Sequence, residues 1–252
     1  MKVSIITATY NSAATIQDCM TSVLSQSYTN VEYLIMDGAS TDATLARVEE
    51  LKETYPDVCI KIYSEPDKGI YDALNKGISR ATGDIIGFVH SDDLLASPKV
   101  VQQVVAMLTT QGCDGVYGDL KYVTQQDTDQ VVRFWKSRPF HPKLLKTGWM
   151  PPHPTVFLKA SVYEELGLFD TRYTIAADYD FLLRLFTTPH ISMHYIPETI
   201  TLMRLGGASN RSLKNIINKM TEDYKAITTH RVGGFGTLFL KTASKFSQFW
   251  KR

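Results

Sequence analysis

The chain has 252 residues, 44% of them apolar and 21% charged, with 27 Lys or Arg against 26 Asp or Glu. That composition is ordinary for a globular protein with a large core, and a net charge of +1 excludes whole-surface attraction to nucleic acid. No run of 18 apolar residues occurs, so no transmembrane helix is expected.

The first two thirds alternate strand and helix patterns. Residues 3–8 read as a strand, and Ser12 as the cap of a helix whose inward face is Ile16, Met20, Val23 and Leu24. Residues 31–36 form a second strand. Ser40 or Thr41 then caps a helix that turns Leu45, Val48 and Leu51 inward. A third strand covers 58–63 and a third helix about 70–81. The apolar run 84–89 is a fourth strand, and Ser97-Pro98 opens a helix facing Val101, Val104, Val105 and Leu108 inward. This order predicts an α/β, doubly wound, mostly parallel sheet. Short strands follow at 114–117, 131–134 and 155–158, then a buried helix over 178–186 and a last helix from Ser212 to about Thr229.

Three cysteines, Cys19, Cys59 and Cys113, are far apart and odd in number, which suits buried free thiols in a reducing compartment. Met1-Lys2 leads straight into a strand, so no secretory signal is expected. From Arg204 onward there are ten Lys or Arg and two acids, a local balance of +8.

Polar residues gather where the first four strands stop: Thr9-Tyr10-Asn11, then Asp37 to Asp42, then Asp67-Lys68-Gly69, then Asp92-Asp93. In a doubly wound sheet these endings share one edge, where such folds bind ligands. Asp92 and Asp93 are neighbouring carboxylates that repel. A divalent cation shared with a phosphate would compensate them; the plain alternative is a pair of loop or capping carboxylates. Neither a Gly-x-Gly-x-x-Gly turn nor a Gly-x-x-x-x-Gly-Lys-Ser/Thr loop is present, so phosphate must be neutralised in another way.

Residues 3–11, 37–42, 67–77 and 91–93, with His153, Gly167-Leu-Phe-Asp170, 177–185 and Gly206-Gly-Ala-Ser209, resemble family 2 glycosyltransferases of the GT-A fold. The likeness is greatest to bacterial enzymes of O-antigen, colanic-acid, capsule and exopolysaccharide assembly. It implies inverting transfer of a sugar from a nucleotide donor, UDP above all, to a lipid-linked saccharide. It further implies that Thr9, Tyr10, Asn11, Asp37, Asp67, Lys68, Gly69 and Asp92 bind the nucleotide sugar. Asp93 and Asp92 would hold Mg²⁺ or Mn²⁺ on the diphosphate, and Asp178 would be the general base. His90 stands where many relatives carry Asp or Asn.

The chemistry fits these residue types. A leaving diphosphate needs its charge stabilised, and an attacking hydroxyl needs a carboxylate base. One base without a second carboxylate nucleophile suits a single inverting displacement. Competing readings are specific. Asp178 could cap its helix; Asp180, Asn75 and Lys76 are expected to be structural; Asp42 serves a helix start. His153 either packs in a loop or touches diphosphate or acceptor. Gly206, Gly207 and Ser209 form either a turn or a loop closing over donor or acceptor. The rival functions are a sugar nucleotidyltransferase and a non-catalytic nucleotide-sugar-binding subunit.

Residues 1–210 are thus expected to be the catalytic domain and 211–252 a basic helical segment. In that segment Phe235, Leu238, Phe239, Thr242, Ala243, Phe246, Phe249 and Trp250 recur at helical spacing, with Lys241, Lys245, Lys251 and Arg252 beside them. Such a stripe suits either a membrane surface or packing on protein. The expected location is the cytoplasmic face of a bacterial cell membrane.

Overall fold

The computed structural model describes residues 1–206 and 213–244. Strands β1 (Val3–Thr9), β2 (Val31–Asp37), β3 (Cys59–Ser64) and β4 (Ile85–Phe88) are parallel neighbours in the order β3-β2-β1-β4. Helices α1 (Ile16–Leu24), α2 (Thr44–Thr54), α3 (Ile70–Arg80) and α4 (Val100–Gln111) connect and flank them. β1 is buried along its whole length, as a strand covered on both faces must be. Its side chains alternate between two cores. Val3 and Ile5 pack with Ile16, Met20, Val48 and Val104; Ile6 and Ala8 pack with Leu74, Ile78 and Leu182.

The second half of the sheet is mixed. β8 (Phe157–Lys159) runs antiparallel to β4, and β6 (Gly115–Val123) antiparallel to β8. β9 (Met193–Arg204) runs parallel to β6, and β5 (Asp93–Leu95) closes that edge antiparallel to β9. β7 (Val131–Trp135) pairs with β6 off this path. Nine strands among the described residues thus form one sheet. Behind them lie α5 (Ala160–Leu166), α6 (Ala177–Thr187), α7 (Leu213–Thr229) and α8 (Phe235–Ser244).

Several expectations need correction. β5 and the long β9 are absent from the sequence reading, and β6 extends well past Tyr117. Ser12 does not cap α1: its carbonyl accepts from Thr15 and Ile16 N–H, so a turn precedes the helix. Asp42, not Ser40 or Thr41, accepts the Thr44 N–H at the start of α2. α4 begins at Val100, two residues after Pro98. Thr155 lies in a 3-10 turn ahead of β8. All three cysteines are free, but Cys59 is exposed on edge strand β3.

Lys241 is not a surface cation either. It is buried on α8, with Nζ 2.6 Å from Asp223 Oδ1 and 3.2 Å from the centre of the Tyr179 ring. Leu238 also packs inward, while Phe235 and Phe239 on the same helix are 74% and 72% exposed. Ser212 and the stripe beyond Ser244 lie outside the described residues, as do Gly207 and Ser209.

Candidate active site

The C-terminal ends of β1 to β4 and the start of α6 build one edge. Thr9 pairs in register with Asp37, which places the ends of β1 and β2 side by side. Asp37 is buried, and its carboxylate accepts from Ser40 N–H at 3.0 Å, Ser40 Oγ at 2.5 Å and Ser64 Oγ at 2.7 Å. Ser40 and Ser64 therefore set the orientation of Asp37. The buried Thr9 Oγ1 has no hydrogen-bond partner among the described residues. Asn11 takes a left-handed conformation, φ +49°, which lets its Oδ1 accept the Thr41 N–H at 2.9 Å. Tyr10 between them is exposed.

Asp67 reaches the same spot from the loop after β3. A Cβ on Gly38 would come within 2.5 Å of Asp67 Oδ2, so only glycine admits this approach. Asp67 Oδ1 accepts the Gly69 N–H at 2.8 Å, and Asp72 accepts the Lys68 N–H at 3.1 Å. Gly69, at φ +111°, supplies the bend into α3. Met36, Asp37, Tyr63, Asp67, Ala73 and Lys76 line a shallow depression here.

The aspartate pair divides. Asp92 sits half-buried in the turn before β5. Asp93 is the first residue of β5, fully buried, and accepts the Arg204 N–H at 3.3 Å while its Oδ2 lacks a hydrogen-bond partner among the described residues. Burial, then the charge of Asp92, push the Asp93 carboxyl well above its usual range. The sequence placed both at the mouth of the sheet; pairing of β5 with β9 draws Asp93 inside instead. Arg204, which the sequence reading overlooked, fastens this corner. Its guanidinium donates to Asp92 O at 3.3 Å and to Asp18 Oδ2 at 2.5 Å. Its one signal was a lone cation closing an apolar run.

No group of three or more potential metal ligands occurs among the described residues. A Mg²⁺-type site needs only one or two carboxylates when phosphates and water complete it. Half-buried Asp92, backed by a buried carboxyl with an oxygen that is unpartnered among the described residues, fits that requirement.

Asp178 lies in the first turn of α6, partly exposed. Its Oδ2 is 2.9 Å from His153 Nδ1, and Tyr71 OH approaches its Oδ1 at 3.1 Å. Burial raises the Asp178 carboxyl, but its contact with His153, with Lys219 and Lys241 farther off, holds it well below the usual range. His153 opens the 3-10 turn His153–Thr155, which Thr155 Oγ1 and Thr201 Oγ1 pin by donating to Pro152 O and Pro154 O. His153 Nε2 then meets His90 Nε2 at 3.1 Å. His90 lies two residues past the end of β4, so its contact joins the Asp92 turn to Asp178 through His153.

Other candidates are structural. Asp180 is buried between His230 at 2.8 Å and Arg184 at 3.2 Å. Asn75 holds Phe169 through both its backbone groups, and Lys76 pairs with Glu65 and Asp72. Gly206, at φ +105°, ends the first described segment after β9.

Residues 4–164 match the model of "Glycosyl transferase family 2". A "PGL/p-HBAD biosynthesis glycosyltransferase" of Mycobacterium bovis is 30% identical over 209 residues, 82% of this chain and 78% of that protein. The "Putative glycosyltransferase EpsE" of Bacillus subtilis is 34% identical over 187 residues, 73% of this chain and 66% of that one. Among solved structures, the mannosyltransferase PcManGT of Pyrobaculum calidifontis, in complex with GDP-Man and Mn²⁺, superposes with a TM-score of 0.69 at 20% identity, covering 99% of this chain and 71% of that one. S. aureus TarS 1–349 in complex with UDP-GlcNAc gives 0.67 at 18% identity, covering 90% of this chain and 66% of that one. These likenesses share the α/β GT-A-like fold described above, with its mixed sheet and C-terminal helices. The matched family model and the mycobacterial relative agree: this chain belongs to glycosyltransferase family 2 and is a glycosyltransferase.

Proposed function

We propose that the chain transfers a sugar from a UDP-sugar, with inversion, to a lipid-linked saccharide in the assembly of a bacterial surface glycoconjugate. One observation carries the catalytic part: Asp178 is held by His153 on the same edge as Asp37, Asp67 and Asp92. The nucleotide lies along Thr9, Tyr10, Asn11, Asp37, Asp67, Lys68 and Gly69. The complexes of TarS with UDP-GlcNAc and PcManGT with GDP-Man support a nucleotide-sugar donor.

Asp92 would hold a Mg²⁺ or Mn²⁺ ion, with Asp93 behind it; bound there, the ion would act as a Lewis acid on the diphosphate. The Mn²⁺ in the PcManGT complex supports this assignment. Asp178 takes the proton of the acceptor hydroxyl as that oxygen bonds to the anomeric carbon. The bond from that carbon to the diphosphate oxygen breaks, and the nucleoside diphosphate leaves with the electron pair. Attack from the opposite side inverts the anomer.

The name of the mycobacterial relative, a "PGL/p-HBAD biosynthesis glycosyltransferase", supports a role in glycoconjugate assembly. No helix among the described residues is long and apolar enough to cross a membrane. A lipid-linked acceptor then requires surface docking, and exposed Phe235, Phe239 and Leu240 on α8, with Ile217 on α7, supply an apolar face for the inner leaflet.

The test is a melting screen against UDP, GDP, dTDP and CMP with and without Mn²⁺. A ligand at a hundred times its Kd adds about 2.7 kcal/mol. Stabilisation by UDP is the expected result, and indifference to all four nucleotides would remove the donor assignment.

A further inference from the structure

His90 and His153 form a chain with Asp178 whose protons can be placed from geometry alone. Asp178 Oδ2 belongs to a carboxylate, which only accepts, so His153 Nδ1 carries a hydrogen. The two Nε2 atoms lie 3.1 Å apart, with the rings tilted by 55°, and only one of them can carry a hydrogen. Two arrangements remain. If His153 donates, it is doubly protonated, and the neutral His90 must carry its own hydrogen on Nδ1. That atom is buried and has no partner among the described residues. An orphaned buried N–H is a rare and costly feature. If His90 donates, both rings are neutral, every N–H has an acceptor, and only a lone pair on His90 Nδ1 is left unpartnered. The second arrangement satisfies the site better.

The other side of the carboxylate shows why this matters. Tyr71 has a single hydroxyl proton, and its oxygen is 2.7 Å from Ile175 O but 3.1 Å from Asp178 Oδ1. The proton favours the carbonyl, so Oδ1 keeps accepting capacity while His153 occupies Oδ2.

We propose that His90 is a positioning residue acting through His153: its Nε2–H keeps His153 in the neutral Nδ1–H form, which grips Asp178 Oδ2 and leaves Oδ1 to receive the acceptor's proton. The contact ties the segment that follows β4, on the donor side, to the residue that serves the acceptor. Without the His90 donor, the Asp178 carboxylate still keeps a hydrogen on His153 Nδ1, but His153 Nε2 is free to take a second one. The resulting imidazolium would pair with Asp178 as an ion and make it a poorer proton acceptor.

This inference rests on Asp178 being the base, and the two can fail separately. The test uses the full chain with ¹⁵N-labelled histidines, reading the ring nitrogens by two-dimensional NMR; His153 signals are assigned by their loss in His153→Gln. The wild type should show His153 neutral with its hydrogen on Nδ1. His90→Phe should shift it toward the doubly protonated form and lower kcat about tenfold, with donor KM within about twofold. His90→Gln, whose amide Nε2 can donate from a similar position, should restore the neutral ring and most of kcat. A doubly protonated or Nε2–H His153 in the wild type overturns the proposal without any variant having to fold. So does His90→Phe with unchanged spectrum and kcat, or His90→Gln no better than His90→Phe. Full turnover in Asp178→Asn would instead remove the base while leaving the tautomer assignment standing.

Discussion

Glu222 on α7 accepts the backbone N–H of Ala176 at 2.8 Å and thereby caps the helix that carries Asp178. The same carboxylate takes the N–H groups of Thr174 at 3.0 Å and Ile175 at 2.9 Å, and the Thr174 hydroxyl at 2.8 Å. α6 has no side-chain cap of its own, and a carboxylate far along the chain instead fastens the three residues that lead into it. α7 is thus a brace for the segment that leads into Asp178.

Glu222→Ala should destabilise the protein by about 1–2 kcal/mol in urea melts, the usual effect of losing a cap. It should also lower kcat more than donor affinity, because the segment it holds carries Asp178 and not the nucleotide residues. Equal losses in both would show that the brace serves the whole site.

Glu32 governs acid stability. It is buried on β2, where Ser4 Oγ and Thr82 N–H each donate at 2.5 Å and Lys2 and Lys61 lie at 2.9 and 3.0 Å. Burial raises its carboxyl, but Ser4, Lys2, Thr82 and Lys61 together hold it well below the usual range. A depressed folded pKa means that this stabilisation is fully present above the unfolded value, about 4.3, and is lost as pH falls through the folded one. Glu32→Gln should cost about 2 kcal/mol at pH 7, and the gap to the wild type should narrow by pH 3. Urea melts at the two pH values decide this; a constant gap contradicts it.

Asp92 and Asp93 should separate by substitution. Asp92→Asn should abolish the Mn²⁺ dependence of nucleotide binding, measured by melting shift. Asp93→Asn replaces a buried carboxyl whose Oδ2 has no hydrogen-bond partner among the described residues, and should leave stability within about 1 kcal/mol of the wild type or improve it. Loss of Mn²⁺ dependence in Asp93→Asn alone would reverse the assignment.

Membrane docking needs point substitutions, because truncating α8 would strip the buried Lys241 from Asp223. Phe235→Ser with Phe239→Ser should leave the melting temperature within about 2 °C, since both rings are largely exposed. Co-sedimentation with anionic vesicles at low salt should be lost. Retained vesicle binding would place the docking surface elsewhere.

The parallel half of the sheet was readable because β1 to β4 are apolar runs with helix-period segments between them. β9 was not, and Pro197 is the reason: a central proline argues against a strand. The structure accommodates it at an irregularity, where pairing with β6 jumps from Tyr195 to Thr199. Three-residue β5 is too short to announce itself. Asp178, His153 and His90 could each be singled out by type, but not their contact, because His90 and His153 are 63 residues apart. Ser64, Tyr71, Arg204 and Glu222 acquire their roles only through partners brought close by the sheet.

The most direct measurement on the central claim is Asp178→Asn, following UDP released from a UDP-sugar donor alongside the UDP-induced melting shift. Turnover should fall by about 10²–10⁴ while the shift stays near the wild-type value. Undiminished turnover, or loss of the UDP shift in step with it, would contradict Asp178 as the base of a nucleotide-sugar transferase.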